Sequence, residues 1–391
     1  MAVPLRRMEV VEPAVLPVDV APVRSAVDRD RFIRFQYDLY RNDPNFVPPL
    51  EMERRDFLDP TKNPFFRHAE VDLFLARRDG EIVGRIAAIH DRNYNAFWKS
   101  KTVAFGLFES IDDPAVARAL LSTVESWGKE RGLEHLLGPL NFSTNYDCGV
   151  LIDGFDRPAV FLMTYNPRYY PELLERAGLA KAKDLFAWDL LRTQEPPEKV
   201  IRIAEKIRKR EGITVRKANL KDLPGEIAKL KKVYNQAWER NWGFVPMTDA
   251  EFDHMAKDMK SVVVPDFLLI AEVKGEPVAF SLTLPDMNQA FRQVEDGRLT
   301  KFGLPIGLAK LVYHQRKINW ARLTALGIVE GYRRRGLDAI LYLDTQRAVQ
   351  RLGYKGGEIG WTLEDNHLVN RAIESMGGKH SKTYRVYEKS L

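Results

Sequence analysis

The sequence predicts an α/β protein made of two similar domains in tandem, each a mixed β-sheet flanked by helices. Three observations support this prediction. The chain has 391 residues, about twice the length of an ordinary domain. Strand-like apolar runs alternate with amphipathic helical segments along its length. An asparagine, a helix, a glycine and a strand follow one another in each half, over residues 166–191 and again over residues 366–388.

The composition is that of a globular protein, with 45% hydrophobic and 29% charged residues. Two cores of this size need no disulfide or metal, so we expect no metal site. The single cysteine, Cys148, indicates a reducing compartment. The first residues do not resemble a signal peptide, and no uncharged apolar stretch approaches the roughly 18 residues of a spanning helix. We therefore expect a cytoplasmic protein, soluble or peripheral at the inner face of the membrane.

The elements of the first half follow from local patterns. We expect residues 1–27 to form a flexible leader and residues 28–195 to form the first domain. An acidic and glycine-containing turn at residues 78–81 predicts a hairpin. The expected helices and strands of this domain are helix 28–40, strands 71–77 and 82–89, helix 115–131, a strand from residue 133, helix 169–177 and strand 185–191.

Residues 196–212 are expected to connect the two domains through a basic helix at 198–210. We interpret this helix as a solvated surface, so we expect no nucleic-acid partner, although the net charge of +6 suits some anionic partner. Residues 213–391 repeat the plan of the first domain, and Thr248 is a predicted N-cap. The expected elements are strand 213–216, helices 220–240 and 249–259, strands 267–273, 277–284 and 322–329, helix 337–352, strand 356–362, helix 368–376 and strand 383–388.

The most informative segment is residues 326–341, where an apolar strand runs into a basic turn. Arg333, Arg334, Arg335 and Gly336 open the next helix. Unpaired amides at a helix start, the helix dipole and nearby guanidinium groups together favour an anion such as a pyrophosphate. A glycine lets that anion approach the backbone closely. The alternative is a structural strand–helix turn with exposed arginines.

These residues resemble the phosphate-binding motif of the GNAT superfamily of acyl-CoA-dependent N-acyltransferases. Arg333 and Gly336 occupy the arginine and first glycine positions, whereas Asp338 departs from the small final residue. An asparagine, a helix and a glycine eleven residues later follow in that superfamily, and Asn366 and Gly377 match them. The resemblance covers residues 213–391 well and residues 31–191 weakly. It implies that coenzyme A, as acyl-CoA, binds the second domain.

The resemblance also implies a mechanism. The fourth and fifth strands of the second domain would diverge and admit the thioester between them. Backbone groups near Leu326 and Ile328 would hold the pantetheine arm, and Asn366 would be both a cofactor-binding and a catalytic residue. An acceptor amine would attack the thioester directly, without an acyl-enzyme. Cys148 is therefore predicted to be a small buried side chain rather than a nucleophile.

The acid and base of such a reaction are not assigned by the sequence. Many relatives have a tyrosine general acid where this chain has Ile373. Tyr384 is a candidate substitute, with core packing as its alternative role, and the same applies to Tyr387. Glu364 is a candidate base, with a strand-end role as its alternative, and Asp365 is a second.

The first domain is predicted to be degenerate. Its segment 105–114 has three carboxylates, Glu109, Asp112 and Asp113, where a phosphate loop would lie, and these would repel a pyrophosphate. The polar run 141–147 follows a strand and is a candidate second wall of the acceptor site, with a hydrogen-bonded turn as the alternative. The candidate substrate-binding residues in this run are Asn141, Ser143, Asn145 and Tyr146.

Residues 298–322 are longer than a tight connection requires and combine apolar with basic side chains. This composition predicts either an interfacial helix on anionic lipid or a lid packed on its own domain. The chain also resembles a bacterial tandem-GNAT group that includes bacterial ceramide synthases, through residues 45–50, 63–68, 138–143 and 165–167. That resemblance implies transfer of a fatty acyl group to a hydrophobic amine such as a sphingoid base. Acetylation of a small soluble amine or peptide, and a non-catalytic CoA-binding module, are the alternatives.

Overall fold

A computed structural model describes residues 17–391, and its framework is one mixed β-sheet. The strands of the first half and the connecting strand to the second are β1 (Asp19–Pro22), β2 (Ala69–Arg78), β3 (Glu81–Asp91), β4 (Thr102–Ser110), β5 (His135–Gly138), β6 (Val150–Asp153) and β7 (Ala180–Leu191). Those of the second half are β8 (Ile213–Lys217), β9 (Leu268–Val273), β10 (Glu276–Pro285), β11 (Trp320–Ile328), β12 (Gly356–Leu363) and β13 (Lys379–Ser390).

Helices cover both faces of this sheet. In the first half they are α1 (Ala26–Leu39), α2 (Glu51–Phe57), α3 (Arg92–Trp98), α4 (Pro114–Glu130) and α5 (Tyr170–Arg176). The connecting and second-half helices are α6 (Glu198–Glu211), α7 (Leu223–Trp238), α8 (Asp249–Met259), α9 (Asn288–Phe291), α10 (Ile306–Gln315), α11 (Leu337–Arg351) and α12 (His367–Ser375). None of the helices within residues 17–391 is both long and apolar enough to cross a membrane.

The two halves exchange their last strands. The strand order is β1-β2-β3-β4-β5-β13-β7-β12-β11-β10-β9-β8, with β6 pairing to β13. Strand β7 thus lies beside β12 of the second half, and β13 lies beside β5 of the first. The two exchanged strands also pair with each other in antiparallel fashion. Each half therefore completes the sheet of the other, and the halves form one continuous structure.

The predicted α/β architecture is confirmed, but two expectations about its division need correction. The sheet does not divide at residues 195 and 213, because the exchanged strands cross that boundary. The predicted leader spans residues 1–27, and its first 16 residues lie outside the described residues. Its remainder is structured, since β1 pairs with β2 and α1 already begins at Ala26 with Ser25 as its N-cap.

Several local predictions match the structure because short-range chemistry decides them. The β2–β3 hairpin forms around the predicted turn. Helix α8 begins after Thr248, whose hydroxyl accepts a hydrogen bond from the Glu251 amide while the Glu251 carboxylate accepts one from the Thr248 amide. Helix α4 buries one apolar face on the sheet.

Candidate functional site

A cavity of about 750 Å³ lies where the two halves meet. The first half contributes α2, the polar run 141–147 and the loop 159–166, and the second half contributes α7, α8, β10 and β11. Most of its lining is apolar, including Phe57, Met163, Trp238, Met255, Phe280 and Leu282. This volume lies within the usual range for small-molecule sites, roughly 300–1,000 Å³.

The cavity reaches the gap between the fourth and fifth strands of the second half. Strands β11 and β12 pair in parallel only from Trp320 to Leu323. Beyond that point β11 pairs with β10 alone and β12 pairs with β7 alone. Thr324 and Ala325 of β11, together with Trp361 of β12, line the cavity. The backbone edge of β11 beyond Leu323 is therefore open on the side facing the gap.

Leu326 and Ile328 lie on this open part of β11, where the sequence predicts contacts with a pantetheine arm. Their main chains pair on the other side with Ser281 and Ala279 of β10. The geometry leaves one edge of β11 free for an extended ligand to add along the strand. Divergence of these two strands is thus a feature of the structure.

The basic turn before α11 forms a small nest of backbone amides. The amides of Arg334, Arg335 and Gly336 donate no hydrogen bond to any residue in the range 17–391. Gly336 is the N-cap of α11 and has a φ of 81° in the left-handed region, which favours glycine. Amides of a helix start that have no intramolecular acceptor are available to an anion.

The three arginines of this turn have different surroundings. The Arg333 guanidinium donates to the carbonyls of Ile328 at 3.3 Å and of Ala237 at 2.8 Å, so it ties α7 to the motif. Its predicted contact with a phosphate stays a prediction, because these bonds use only Nε and Nη2 of the guanidinium. Arg335 forms an ion pair of 3.4 Å with Glu211 of α6. The side chain of Arg334 is exposed and contacts no acceptor among the described residues.

The corresponding place in the first half is closed to an anion. Glu109, the last residue but one of β4, is buried and accepts hydrogen bonds from Tyr40 at 2.8 Å and Tyr170 at 2.6 Å. Asp113 caps α4 through the Ala115 amide at 2.7 Å. The helix start is thus occupied by a carboxylate of the chain itself.

The polar run 141–147 forms part of the cavity wall at the junction of the halves. Asn141, Asn145 and Tyr146 line the cavity. The Asn145 amide group donates to Val245 at 3.1 Å, and its oxygen accepts from Tyr234 at 2.7 Å. Ser143 is buried and does not line this cavity. Its hydroxyl accepts a hydrogen bond from the main-chain N–H of Asn145. The predicted second wall and the alternative turn network therefore coexist in one segment.

The sequence missed one residue of this run, Asp147. Asp147 lines the cavity, and its carboxylate has no hydrogen-bond or ion-pair partner within the described part of the chain. Burial raises the pKa of Asp147, although the positive charges of Arg54 and Arg322 act against that increase. The polar run was recognised, but its only carboxylate was not, because an aspartate at the end of a turn has an ordinary structural explanation.

The predicted catalytic residues lie elsewhere. Glu364 accepts hydrogen bonds from Lys181 at 2.6 Å and from the Asp184 amide at 3.0 Å, and it does not line the cavity. Asn366 is the N-cap of α12, with its side chain accepting from the Val369 amide. The structure gives both residues a structural role and does not place either of them on the cavity wall.

Tyr384 is fully buried in the core of the first half and is absent from the cavity wall. Its hydroxyl has no partner among the described residues, and burial raises the pKa of this phenol well above its usual value. Cys148 is also buried, and burial raises the pKa of its thiol to about 12. A thiol that stays protonated at neutral pH is a poor nucleophile.

Charged residues brace the base of the strand gap. Arg322 of β11 is buried and donates to the carbonyls of Phe161 at 2.9 Å and Leu162 at 2.8 Å in the first half. Lys382 and Glu358 form an ion pair of 2.8 Å with both side chains 1% exposed. Since Lys382 lies on β13 and Glu358 on β12, this pair connects the two strands that flank β7.

A histidine joins the two halves near the cavity. His68 lies 3.0 Å from the Asp91 carboxylate through Nδ1 and 3.1 Å from the Glu251 carboxylate through Nε2. Burial opposes protonation, but the hydrogen bonds and charges of the two carboxylates outweigh it and raise the pKa of His68 to about 9. At neutral pH the charged imidazolium therefore forms ion pairs with Asp91 of the first half and with Glu251 of α8.

Residues 298–322 form a projecting segment that contains α10. Helix α10 packs on α9, and Gly307 is its one buried residue. Its apolar side chains face solvent, and the interfacial helix and the lid both stay predictions. The exposed apolar side chains are Phe302, Leu304, Ile306, Leu308, Val312 and Tyr313. Exposed basic residues accompany them at Lys301, Lys310, Arg316 and Lys317.

Relatives with assigned names share nearly the whole chain. A protein of Caulobacter vibrioides named bacterial ceramide synthase is 38% identical over 384 residues, which are 96% of this chain and 98% of that protein. Protein YghO of Escherichia coli is 33% identical over 371 residues, with 93% of each chain covered. No protein-family model matches the chain.

Solved structures share the fold at low sequence identity. A tandem GNAT protein from the clavulanic acid biosynthesis pathway has a TM-score of 0.54 at 11% identity, covering 95% of this chain and 98% of its own. The glucosamine N-acetyltransferase region of a fungal β-N-acetylglucosaminidase has a TM-score of 0.58 at 14% identity, covering 97% of this chain and 38% of its own. With the relatives above, these matches confirm the GNAT resemblance. The chain therefore belongs to the tandem-GNAT family of N-acyltransferases that includes the bacterial ceramide synthase of Caulobacter vibrioides.

Proposed function

We propose that this enzyme transfers a long-chain acyl group from acyl-CoA to the amine of a sphingoid base or a related lipid amine. The observation on which the proposal rests is the cavity of about 750 Å³, with a mostly apolar lining, that meets β11 and β12 where they diverge. An acetyl group and a small polar amine would leave such a lining wet, whereas a hydrocarbon chain gains about 0.8 kcal/mol for each buried methylene. The name of the Caulobacter vibrioides relative supports the same substrate class.

The residues present fit coenzyme A as the carrier of the acyl group. The free amides of Arg334, Arg335 and Gly336, with the unpartnered guanidinium of Arg334, suit the phosphates. The open edge of β11 at Leu326 and Ile328 suits the amide groups of a pantetheine arm. The closed helix start of α4 supports one such site per chain. In this arrangement the chain positions a thioester at the strand gap, beside the cavity.

The segment around α10 supports a peripheral position at an anionic membrane surface. Apolar side chains that face water beside basic side chains are typical of interfacial helices. Between Arg298 and Arg322 the sequence has no aspartate or glutamate, so nothing in this segment repels anionic lipid. A lipid amine resides in such a membrane, and the enzyme would take its acceptor from there.

The test is to identify the product. The purified protein is incubated with palmitoyl-CoA or acetyl-CoA, each with a sphingoid base, a polyamine or a peptide, and amides are identified by mass spectrometry. We expect the N-palmitoyl sphingoid base to form fastest. Efficient acetylation of the polyamine or peptide, without turnover of palmitoyl-CoA, would contradict the lipid substrate. Absence of turnover with every pair would favour a non-catalytic CoA-binding module.

A further inference from the structure

Asp147 differs from every other carboxylate on the cavity wall. Among residues 17–391, five carboxylates line the cavity, and four of them have partners. These four are Glu53 with Arg54, Glu109 with Tyr40 and Tyr170, Glu251 with Thr248 and His68, and Asp258 with His254. Asp147 has no such partner in residues 17–391, so its acceptor capacity is available to whatever enters the cavity.

The backbone holds Asp147 in a fixed position. The Asn141 amide donates to the Asp147 carbonyl at 2.9 Å, which closes the polar run into a compact loop. Leu140 and Cys148 form an antiparallel bridge immediately outside that pair. The neighbouring Asn145 accepts a hydrogen bond from Tyr234 of α7, and both Asn145 and Tyr146 line the same cavity. A carboxylate mounted on such a loop has little freedom to leave the cavity wall.

The charges around Asp147 come from two elements, α2 and β11. Arg54 of α2 and Arg322 of β11 stabilise the carboxylate, and Glu53 of α2 destabilises it. Arg54 is itself neutralised by Glu53 through hydrogen bonds of 2.6 Å. The Arg322 guanidinium donates four hydrogen bonds to main-chain carbonyls and none to Asp147. The remaining titratable neighbours are the buried Cys148 and Tyr384, both held protonated by burial.

We infer that Asp147 is the general base that deprotonates the acceptor amine. The inference rests on the proposed function, because it requires an amine in the cavity. An ammonium group entering the cavity finds one carboxylate without a competing donor, and it can hydrogen-bond to that carboxylate. Burial raises the pKa of Asp147, which brings the basicity of the carboxylate closer to that of an amine. The Glu364 alternative lies outside the cavity in an ion pair with Lys181.

The proton balance of the step is complete without any further reactant. Asp147 accepts one proton from the ammonium, and the freed nitrogen lone pair forms the C–N bond at the acyl carbon. The C–S bond breaks, and its electron pair leaves on the sulfur of coenzyme A. The sulfur takes the second proton lost by the nitrogen, giving the free thiol and a neutral amide. Asp147 then returns its proton to solvent through the cavity.

The experiment compares the variants Asp147→Asn and Asp112→Asn with the unmodified enzyme. Asp112 is an exposed aspartate of the first half outside the cavity, so it is a matched control. Turnover is followed by release of the free thiol across the pH range, and acyl-CoA affinity by calorimetry. We expect Asp147→Asn to lower kcat by about 100-fold or more, with acyl-CoA affinity and Tm unchanged. We also expect it to remove the decline of kcat/KM towards acidic pH.

The outcomes separate this inference from the proposed function. Unmodified enzyme that turns over palmitoyl-CoA while Asp147→Asn matches Asp112→Asn would overturn the assignment of the base and leave the function intact. If the unmodified enzyme prefers acetyl-CoA and a polyamine, the lipid substrate is wrong, and Asp147→Asn is measured on that pair. A loss of kcat that keeps the acidic decline of kcat/KM would also overturn the assignment, because a base must account for that decline.

Discussion

Removing Phe302 should weaken binding to anionic vesicles without changing the fold. Phe302 is 93% exposed in the segment before α10, so the phenyl ring gives up almost no internal packing when it is replaced. Transfer of such a side chain out of water is worth about 1.5–3 kcal/mol. A value of about 2 kcal/mol corresponds to roughly a 30-fold loss of vesicle affinity for Phe302→Ser. The lysines and arginine nearby each add about 1 kcal/mol near an anionic surface, so added salt should weaken binding further.

Co-sedimentation with vesicles of phosphatidylglycerol and phosphatidylcholine measures this affinity, and vesicles of phosphatidylcholine alone serve as the uncharged comparison. Val27→Ser is the control variant, since Val27 is 59% exposed on α1 in the other half. Equal affinity of Phe302→Ser and Val27→Ser would refute the membrane role of this segment. So would binding that is unaffected by salt and by lipid charge. In that case the apolar side chains of α10 would require another partner.

Three further changes test the site. Arg334→Glu should weaken coenzyme A binding at least tenfold in calorimetry, whereas the control Arg118→Glu on α4 should not. A change at Gly336 would be a less clear test, because the left-handed φ of this residue disfavours any side chain. Because the pKa of His68 is raised, the charged imidazole stabilises the fold fully below about pH 6.5, and this stabilisation is lost as pH rises through about 9. The free energy of unfolding should therefore fall by up to ~3 kcal/mol over that window. His68→Gln should abolish the fall. Ala325→Trp fills the cavity beside the strand gap and should shift donor preference to shorter acyl chains in a thiol-release assay. The Tm of this variant should change by no more than a few degrees.

Local patterns were sufficient to predict the order of the helices and strands. Turn residues, caps and hydrophobic periods act over a few positions, which is why α8 and the β2–β3 hairpin match the sequence prediction closely. The exchange of β7 and β13 was beyond this reasoning. Their pairing is decided by contacts between residues about two hundred positions apart, and no local pattern records it. The continuous sheet followed only from the structure.

The candidate site was predicted in outline and missed in detail. The strand gap lies where the motif places it, and the polar run 141–147 forms part of the cavity wall. Glu364 was a plausible base by its position after a strand, but Lys181, from the exchanged strand β7, neutralises it. Arg333 matched a motif position, yet its guanidinium binds the end of α7. Both side chains make long-range contacts that their neighbours in the sequence do not indicate.

The dependence of kcat/KM on donor chain length is the most direct test of a long-chain N-acyltransferase. A series from acetyl-CoA to stearoyl-CoA is assayed with one sphingoid base by release of the free thiol. Each methylene buried in the cavity should raise kcat/KM about fourfold until the chain exceeds the available volume, since about 0.8 kcal/mol is gained per methylene. A steep rise followed by a plateau is the predicted result. A flat series, or a maximum at acetyl-CoA, would contradict the account.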